Sequence, residues 1–245
     1  MQSPFLVVTT GAMAALSAQI GVLPAAHRPA VDWLKSDRPV GYEEAVAAME
    51  VRAASIAHRE ADECVWLLEH PPIYTAGTSA EFTELLAPTR FPVFKTGRGG
   101  RFTYHGPGQR VAYVMLDLSA RGRDVKAFVA SLEDWLIAAL AQLGVKGERD
   151  PGQIGIFVRG AKIASIGVRV RRWVSLHGVS LNVDPELDHF SGIVPCGLKD
   201  VPVASLAALG AETDMGKVDA TLRVAFEKIF DEGRSAPIPA DHLEA

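Results

Sequence analysis

The middle of the chain restricts the fold most. Between residues 91 and 183, short apolar runs alternate with turns: 91–96, 111–118, 154–158, 162–170 and 173–183. Such runs are strand length, and the breaks Asp150-Pro151-Gly152 and Arg159-Gly160 carry turn chemistry. Two earlier runs, 31–34 and 64–68, also read as strands, the second ending at Glu69-His70-Pro71-Pro72, where proline stops pairing. Residues 73–79 then lead into a polar loop. Helical spacing appears before, within and after this region. Val46, Met49, Ala53 and Ile56 make one face of a helix over 42–57. Asp124 opens the clearest helix, with Val125, Phe128, Leu132, Trp135, Leu136, Ala139 and Leu143 as its buried stripe and Gly144 placed to end it. A last helix over 218–230 uses Val218, Leu222, Ala225, Phe226 and Ile229. The pattern predicts an α+β fold: a mixed, largely antiparallel sheet with flanking helices.

The length, 245 residues, suits one large domain or two small ones, and nothing in the chain reads as a linker or an internal repeat. We expect an amino-terminal extension over 1–28 with little order, one catalytic-size domain over 29–233, and a loose tail over 234–245. The first Arg or Lys is Arg28, so the apolar-leaning start lacks the charged region of a secretory signal. A formal net charge of −4 gives no global attraction for nucleic acid or an anionic membrane. No run is apolar and long enough for a transmembrane helix. Two distant cysteines, Cys64 and Cys196, read as free thiols in a reducing cytosol.

The stretch from residue 98 to 109, Arg-Gly-Gly-Arg-Phe-Thr-Tyr-His-Gly-Pro-Gly-Gln, suits neither a strand interior nor a helix interior. Its glycines let backbone N–H groups approach a ligand, and its arginines, Tyr104 and His105 add polar handles and a flat wall, which is binding-loop chemistry. A tight hairpin whose side chains only decorate a turn is the plain alternative. Cys196 lies between Pro195 and Gly197 in a loop, where its sulfur is reachable; Cys64 lies in an apolar strand and reads as a small buried hydrophobe. A nucleophilic cysteine needs a positive charge or a base nearby. In a regular strand, Lys162 shares the apolar face with Ala164, Ile166, Val168 and Val170, where its ammonium would lose water, while Ser165, Arg169 and Arg171 take the other face. A strand-end lysine can also snorkel to solvent, and Gly167 is a place where a bulge would break this parity. His70 and His177 read as structural histidines, and no His/Cys spacing supports a zinc site.

Five segments occur in order: Leu-Glu-His-Pro-Pro-Ile-Tyr-Thr-Ala-Gly from residue 68, the 98–109 stretch, Lys-Ile-Ala-Ser-Ile-Gly-Val-Arg from 162, His-Gly-Val-Ser-Leu-Asn-Val from 177, and Val-Pro-Cys-Gly from 194. Over roughly residues 31–230 the chain resembles the octanoyltransferases of lipoate biosynthesis, the lipoyl(octanoyl) transferases. The resemblance implies the biotin/lipoate protein ligase-like fold. It implies transfer of an octanoyl group from octanoyl-acyl carrier protein, through a thioester, to a lysine of lipoyl domains in 2-oxoacid dehydrogenase E2 subunits and of the glycine cleavage H protein. It places the acyl-bearing cysteine on Cys196 and the lysine that activates it on Lys162. The implied acyl-substrate contacts are Arg98, Gly99, Gly100, Arg101, Phe102, Thr103, Tyr104 and His105; Ser165, Ile166 and Gly167; and Gly178, Val179 and Ser180. Arg101, Phe102, Arg110 and Ser180 depart from the smaller or more neutral residues expected there. The thioester donor is already activated, so the resemblance implies no ATP, cofactor or metal, and a cytoplasmic monomer. Two other chemistries differ in one feature each. A lipoate- or biotin-protein ligase requires ATP, and a papain-type hydrolase pairs its cysteine with a histidine such as His177. Two arginine groups, Arg169, Arg171 and Arg172 and then Arg98, Arg101 and Arg110, are expected to form a surface that attracts an acidic carrier protein.

Overall fold

A computed structural model describes residues 6–8, 31–194 and 201–230. Eleven strands and three helices are present among them. The strands are β1 (Leu6–Val8), β2 (Val31–Ser36), β3 (Glu63–Leu68), β4 (Ile73–Ala76), β5 (Val93–Lys95), β6 (Phe102–His105), β7 (Gln109–Met115), β8 (Glu148–Asp150), β9 (Gln153–Val158), β10 (Ala161–Arg171) and β11 (Val174–Asn182). The helices are α1 (Tyr42–Ala57), α2 (Val125–Gln142) and α3 (Met215–Phe230).

One sheet has eight strands in the order β1-β2-β3-β7-β11-β10-β9-β8, and a second has three in the order β5-β4-β6. In the large sheet β1–β2 and β2–β3 are parallel and every later pair is antiparallel, the mixed, largely antiparallel arrangement expected. Two of its hairpins close with two-residue turns. Arg159-Gly160 and Arg172-Trp173 each have positive φ at both positions, the twist that suits right-handed strands.

Helices cover both faces of the large sheet. On one face α2 and α3 pack through Leu132, Trp135, Leu136, Leu222 and Phe226 against Val65, Val114 and Ile163. The Asp124 carboxylate caps α2 by accepting from the Ala127 N–H at 2.9 Å. Val125, placed on the buried stripe by its spacing, is 38% exposed, whereas Leu140 is buried in the stripe. On the other face α1 packs Ala45, Met49, Ala53 and Ile56 against Trp66, Tyr113 and Leu176.

Two sequence expectations change, at β6 and at the β10 bulge, and β1 adds a pairing at the sheet edge. Residues 102–105, within the glycine-rich stretch, form strand β6, which pairs antiparallel with β4 (Ile73↔His105 to Ala76↔Phe102). The aromatic side chains of Phe102 and Tyr104 fix it there, packed with Tyr74 and Phe190 in a core of their own. Within the amino-terminal segment, the backbone of β1 pairs with Leu34, Lys35 and Ser36 at the sheet edge. The break in β10 parity lies between Lys162 and Ala164, not at Gly167: Lys162 pairs with Phe157 and Ala164 with Ile156, so two steps on β10 face one on β9.

Candidate active site

The two sheets meet at a cleft with about 520 Å³ of non-atom space, open solvent included. The large sheet supplies one wall. Ser165 pairs with Ser180, and Gly167 with Gly178, across the centre of the β10–β11 ladder. The facing glycines keep this wall low. Gly178 is fixed by geometry: its φ is +157°, and an added Cβ would lie 2.3 Å from the Ala112 carbonyl oxygen. His177, just before it, has φ +60°, a left-handed conformation uncommon for a non-glycine residue within a strand.

The small sheet supplies the other wall, and a buried arginine holds it. Arg98 is 8% exposed. Its guanidinium donates to the Thr75 carbonyl (2.9 Å) and hydroxyl (2.7 Å), the Gly99 carbonyl (2.9 Å) and the Arg101 carbonyl (3.1 Å). The loop is also tied to β10, since Gly99 N–H donates to the Val168 carbonyl at 2.9 Å. Arg101 pairs with Glu84, with Glu81 at 3.5 Å.

Buried histidines and tyrosines lie where the walls join. His70 is fully buried between the Val40 carbonyl (Nδ1, 2.8 Å) and the Tyr113 hydroxyl (Nε2, 2.9 Å). The carbonyl can only accept, so Nδ1 carries the proton and Tyr113 donates to Nε2. Burial pulls the His70 pKa down to about 4 and that of His177 to about 3, the latter helped by the Arg98 and Arg169 charges. His105 is likewise held well below the ordinary imidazole range, by burial and then by the neighbouring His70 and Arg98. These rings are neutral at physiological pH. Burial raises the Cys64 thiol to about 12, in keeping with a core hydrophobe rather than a nucleophile.

Lys162 stands at the end of the large-sheet wall. The bulge turns its side chain over Gly155, where an added Cβ would meet Cε at 2.7 Å. Lys162 is 5% exposed, donates from Nζ to the Ile154 carbonyl at 2.8 Å, and lies 5.5 Å from the Phe157 ring centre. The burial expected from strand parity is present, but the bulge produces it. Cys196 lies outside the described residues. The chain that flanks it touches both walls. Before it, Val194 N–H donates to the Glu84 carbonyl (2.7 Å) and Ile193 bridges Leu85 beside the small sheet. After it, Lys162 N–H donates to the Pro202 carbonyl (2.8 Å), Ala204 N–H donates to the Lys162 carbonyl (2.9 Å), and Val203 bridges Lys162.

Most residues singled out from the sequence meet in this cleft. Arg98, Gly100, Arg101, Phe102, Thr103 and His105 line it from one side; Ser165, Ile166, Gly167, Gly178, Val179 and Ser180 line it from the other. Gly99 and Tyr104 do not. Gly99 docks the loop on β10, and the Tyr104 hydroxyl turns away to His189 Nδ1 at 2.8 Å. Tyr42, Val111, Tyr113 and His177 also line the cleft, and the sequence singled out none of them as a substrate contact. A tyrosine at the first position of a helix and a histidine directly before a strand glycine were the available signals. The arginine surface needs correction. Arg110 is 4% exposed and forms a two-pronged pair with Asp219 on α3 (2.7 and 3.1 Å), and Arg98 is consumed inside the loop. Both are structural rather than surface groups. Arg171 and Arg172 remain exposed, and Arg169 is half-buried, 3.5 Å from Glu50.

The fold is shared with solved lipoate- and biotin-protein ligases. The fold matches lipoate-protein ligase A bound with ATP at a TM-score of 0.61 (12% identity, 84% of this chain and 86% of that one). It matches the biotin protein ligase of Aquifex aeolicus in complex with biotin and ATP at 0.51 (11% identity, 84% and 72%). The sequence narrows the class. The family profile of the lipoyl protein ligase A/B catalytic domain matches residues 41–227, and the chain belongs to that family. Among its relatives are the octanoyltransferase of Parvibaculum lavamentivorans, 59% identical over 212 residues (83% of this chain, 94% of the relative), and that of Caulobacter vibrioides, 58% identical over 217 residues (85% and 96%).

Proposed function

We infer that this chain is an acyltransferase that moves an octanoyl group onto lipoyl-domain proteins during protein lipoylation. The observation that carries this reading is the near-full-length similarity to octanoyltransferases, 58–59% identical over 94–96% of their length. The donor in this reading is octanoyl-acyl carrier protein. The acceptors are lipoyl domains of 2-oxoacid dehydrogenase E2 subunits and the glycine cleavage H protein. Free-thiol usage fits the cytoplasm, where we place the enzyme as a monomer.

Cys196 thiolate attacks the donor thioester, forming the new C–S bond and releasing the carrier thiol. Support comes from the flanking chain, which leaves the small-sheet wall at Val194 and rejoins the large sheet against Lys162. The Lys162 ammonium would favour the thiolate. The acyl chain lies in the cleft, against Phe102, Ile166 and Val179, with Arg98, Thr103, His105 and Ser180 as its polar rim. The acceptor amine then forms the amide; the electron pair of the broken C–S bond returns to Cys196, and the proton lost by the amine restores its thiol.

The test is transfer without nucleotide. Purified protein, octanoyl-acyl carrier protein and a lipoyl domain are mixed in the absence of ATP, and the mass of the lipoyl domain is followed. Addition of one octanoyl group is expected. Modification only from free octanoate with ATP would mark a ligase instead.

A further inference from the structure

Two buried side-chain amides link the cleft to the chain that follows Cys196. Gln109 at the start of β7 and Asn182 at the end of β11 are direct partners across the ladder, and both are buried. Gln109 Nε2 lies 3.2 Å from the Tyr104 carbonyl oxygen and 2.9 Å from Asn182 Oδ1. Asn182 Nδ2 lies 2.9 Å from the Ala204 carbonyl oxygen. Both backbone carbonyls only accept, so they orient both amides. Asn182 must present nitrogen to Ala204 and therefore oxygen to Gln109. Gln109 must present nitrogen to Tyr104 and to Asn182, and so its oxygen faces His105 Nδ1 at 2.7 Å.

That oxygen accepts, so His105 Nδ1 must carry the proton. Nε2 is then a lone pair, and no hydrogen-bond partner for it is found among the described residues. His105 lines the cleft. A lone pair selects among the reacting groups. The thioester carbonyl and the acyl chain offer it no donor, whereas an amine N–H does.

We propose that Gln109 and Asn182 are positioning residues that fix His105 as the Nδ1–H tautomer, so that Nε2 accepts a hydrogen bond from the acceptor lysine's amine and aims its nitrogen lone pair at the acyl-thioester. The role of His105 is orientation: the N–C bond forms, the C–S bond breaks, and both the electron pair of that bond and the surplus amine proton leave with the Cys196 sulfur, which ends as the thiol, so no proton is stored on the ring. The same bridge holds the chain beyond Cys196. Ala204 is clamped from both sides, its carbonyl by Asn182 and its N–H by the Lys162 carbonyl. Amine alignment and the placement of the chain after the nucleophile therefore share one support. A misplaced nucleophile loses rate steeply even when it still binds.

This inference rests on the octanoyltransferase reading, and the experiment separates the two. The histidine ring nitrogens of the intact protein are read by ¹⁵N NMR, and the two half-reactions are timed separately: acylation by octanoyl-acyl carrier protein, and transfer from isolated acyl-enzyme to a lipoyl domain. The expected wild-type result is a protonated Nδ1 and a bare Nε2 at His105. In Gln109→Met, we expect loss of that single tautomer and transfer about tenfold slower or more, with acylation changed far less. A wild-type His105 protonated at Nε2 would overturn the proposal without any variant. Equal slowing of both half-reactions would do so too, since it would mean that the bridge serves the fold or the carrier's amide groups. Gln109→Glu keeps an acceptor for Nδ1–H but loses both donors; it should retain the tautomer while transfer suffers less than in Gln109→Met. A wild-type protein that is never acylated would instead remove the functional reading itself.

Discussion

The two walls of the cleft are built in opposite ways. The large-sheet wall is backbone: β10 and β11 are paired along their length, and Gly167 and Gly178 face each other so that nothing projects. The small-sheet wall is a strand and a loop shaped by one side chain, Arg98, whose guanidinium gathers the carbonyls of Thr75, Gly99 and Arg101. The first wall is held by the backbone hydrogen bonds of the β10–β11 ladder. The second keeps its shape only while a buried charge satisfies its carbonyls, and removing such a group leaves them without partners. The cleft thus has one wall set by backbone pairing and one wall set by a buried side chain.

The comparison is most strongly broken at Gly178. In Gly178→Ala the new Cβ has no escape from the Ala112 carbonyl, so the ladder itself must shift. We expect a loss of about 4 kcal/mol, above the usual range for single changes, and a melting temperature lower by about 10 °C. Arg98→Met attacks the other wall. Its expected cost is about 3 kcal/mol, and cleft binding should suffer more than the fold. Transfer should fall about tenfold or more even at temperatures where circular dichroism is unchanged. If Arg98→Met and Gly178→Ala lose activity only in step with stability, the two walls are not different in kind.

His70 sits where β3 of the large sheet gives way to β4 of the small one, and it sharpens the comparison through pH. Its folded pKa of about 4 lies below the ordinary 6.5. Its contribution is therefore complete above about pH 6.5 and is lost as pH falls through about 4, because the unfolded chain binds the proton first. Chemical denaturation between pH 7 and 4 should show stability falling by a few kcal/mol, and His70→Gln should flatten part of that slope; an identical slope would assign it to other groups. The smallest effect is expected from deleting residues 1–28, which removes the β1 pairing at a sheet edge far in chain order from β10 and β11. A melting shift of only a few degrees and unchanged transfer are expected.

The sequence carried the large sheet well because most of its strands are apolar runs and the turns at Asp150-Pro151-Gly152 and Arg159-Gly160 carry glycine and proline; the Arg172-Trp173 turn, with neither, had no such signal. Asp124 marked the start of α2, and spacing along α1 marked its buried face. Tertiary packing explains what stayed hidden. The strand β6 sits in glycine-rich sequence, and distant partners hold it in place: the pairing with β4 and the aromatic cluster of Tyr74, Tyr104 and Phe190. The bulge beside Lys162 carries no local signature, because Ile163 and Ala164 are both apolar and either suits a core. Arg98 and Arg110 were grouped with surface charges on composition. Their partners Thr75 and Asp219 are distant in sequence, and no local pattern predicts such pairings. For the cleft, the glycine and serine positions of β10 and β11 were legible through resemblance, whereas Tyr42 and Tyr113 belong to elements whose apolar faces suggested only packing.

The most direct measurement is peptide-resolved intact mass after mixing the protein with octanoyl-acyl carrier protein in the absence of ATP. We predict one octanoyl group, located on the peptide bearing Cys196, absent in Cys196→Ala, slowed in Lys162→Met, and never on Cys64. An adduct that persists in Cys196→Ala, or that forms at the same rate in Lys162→Met, would contradict the assignment of nucleophile and activating lysine.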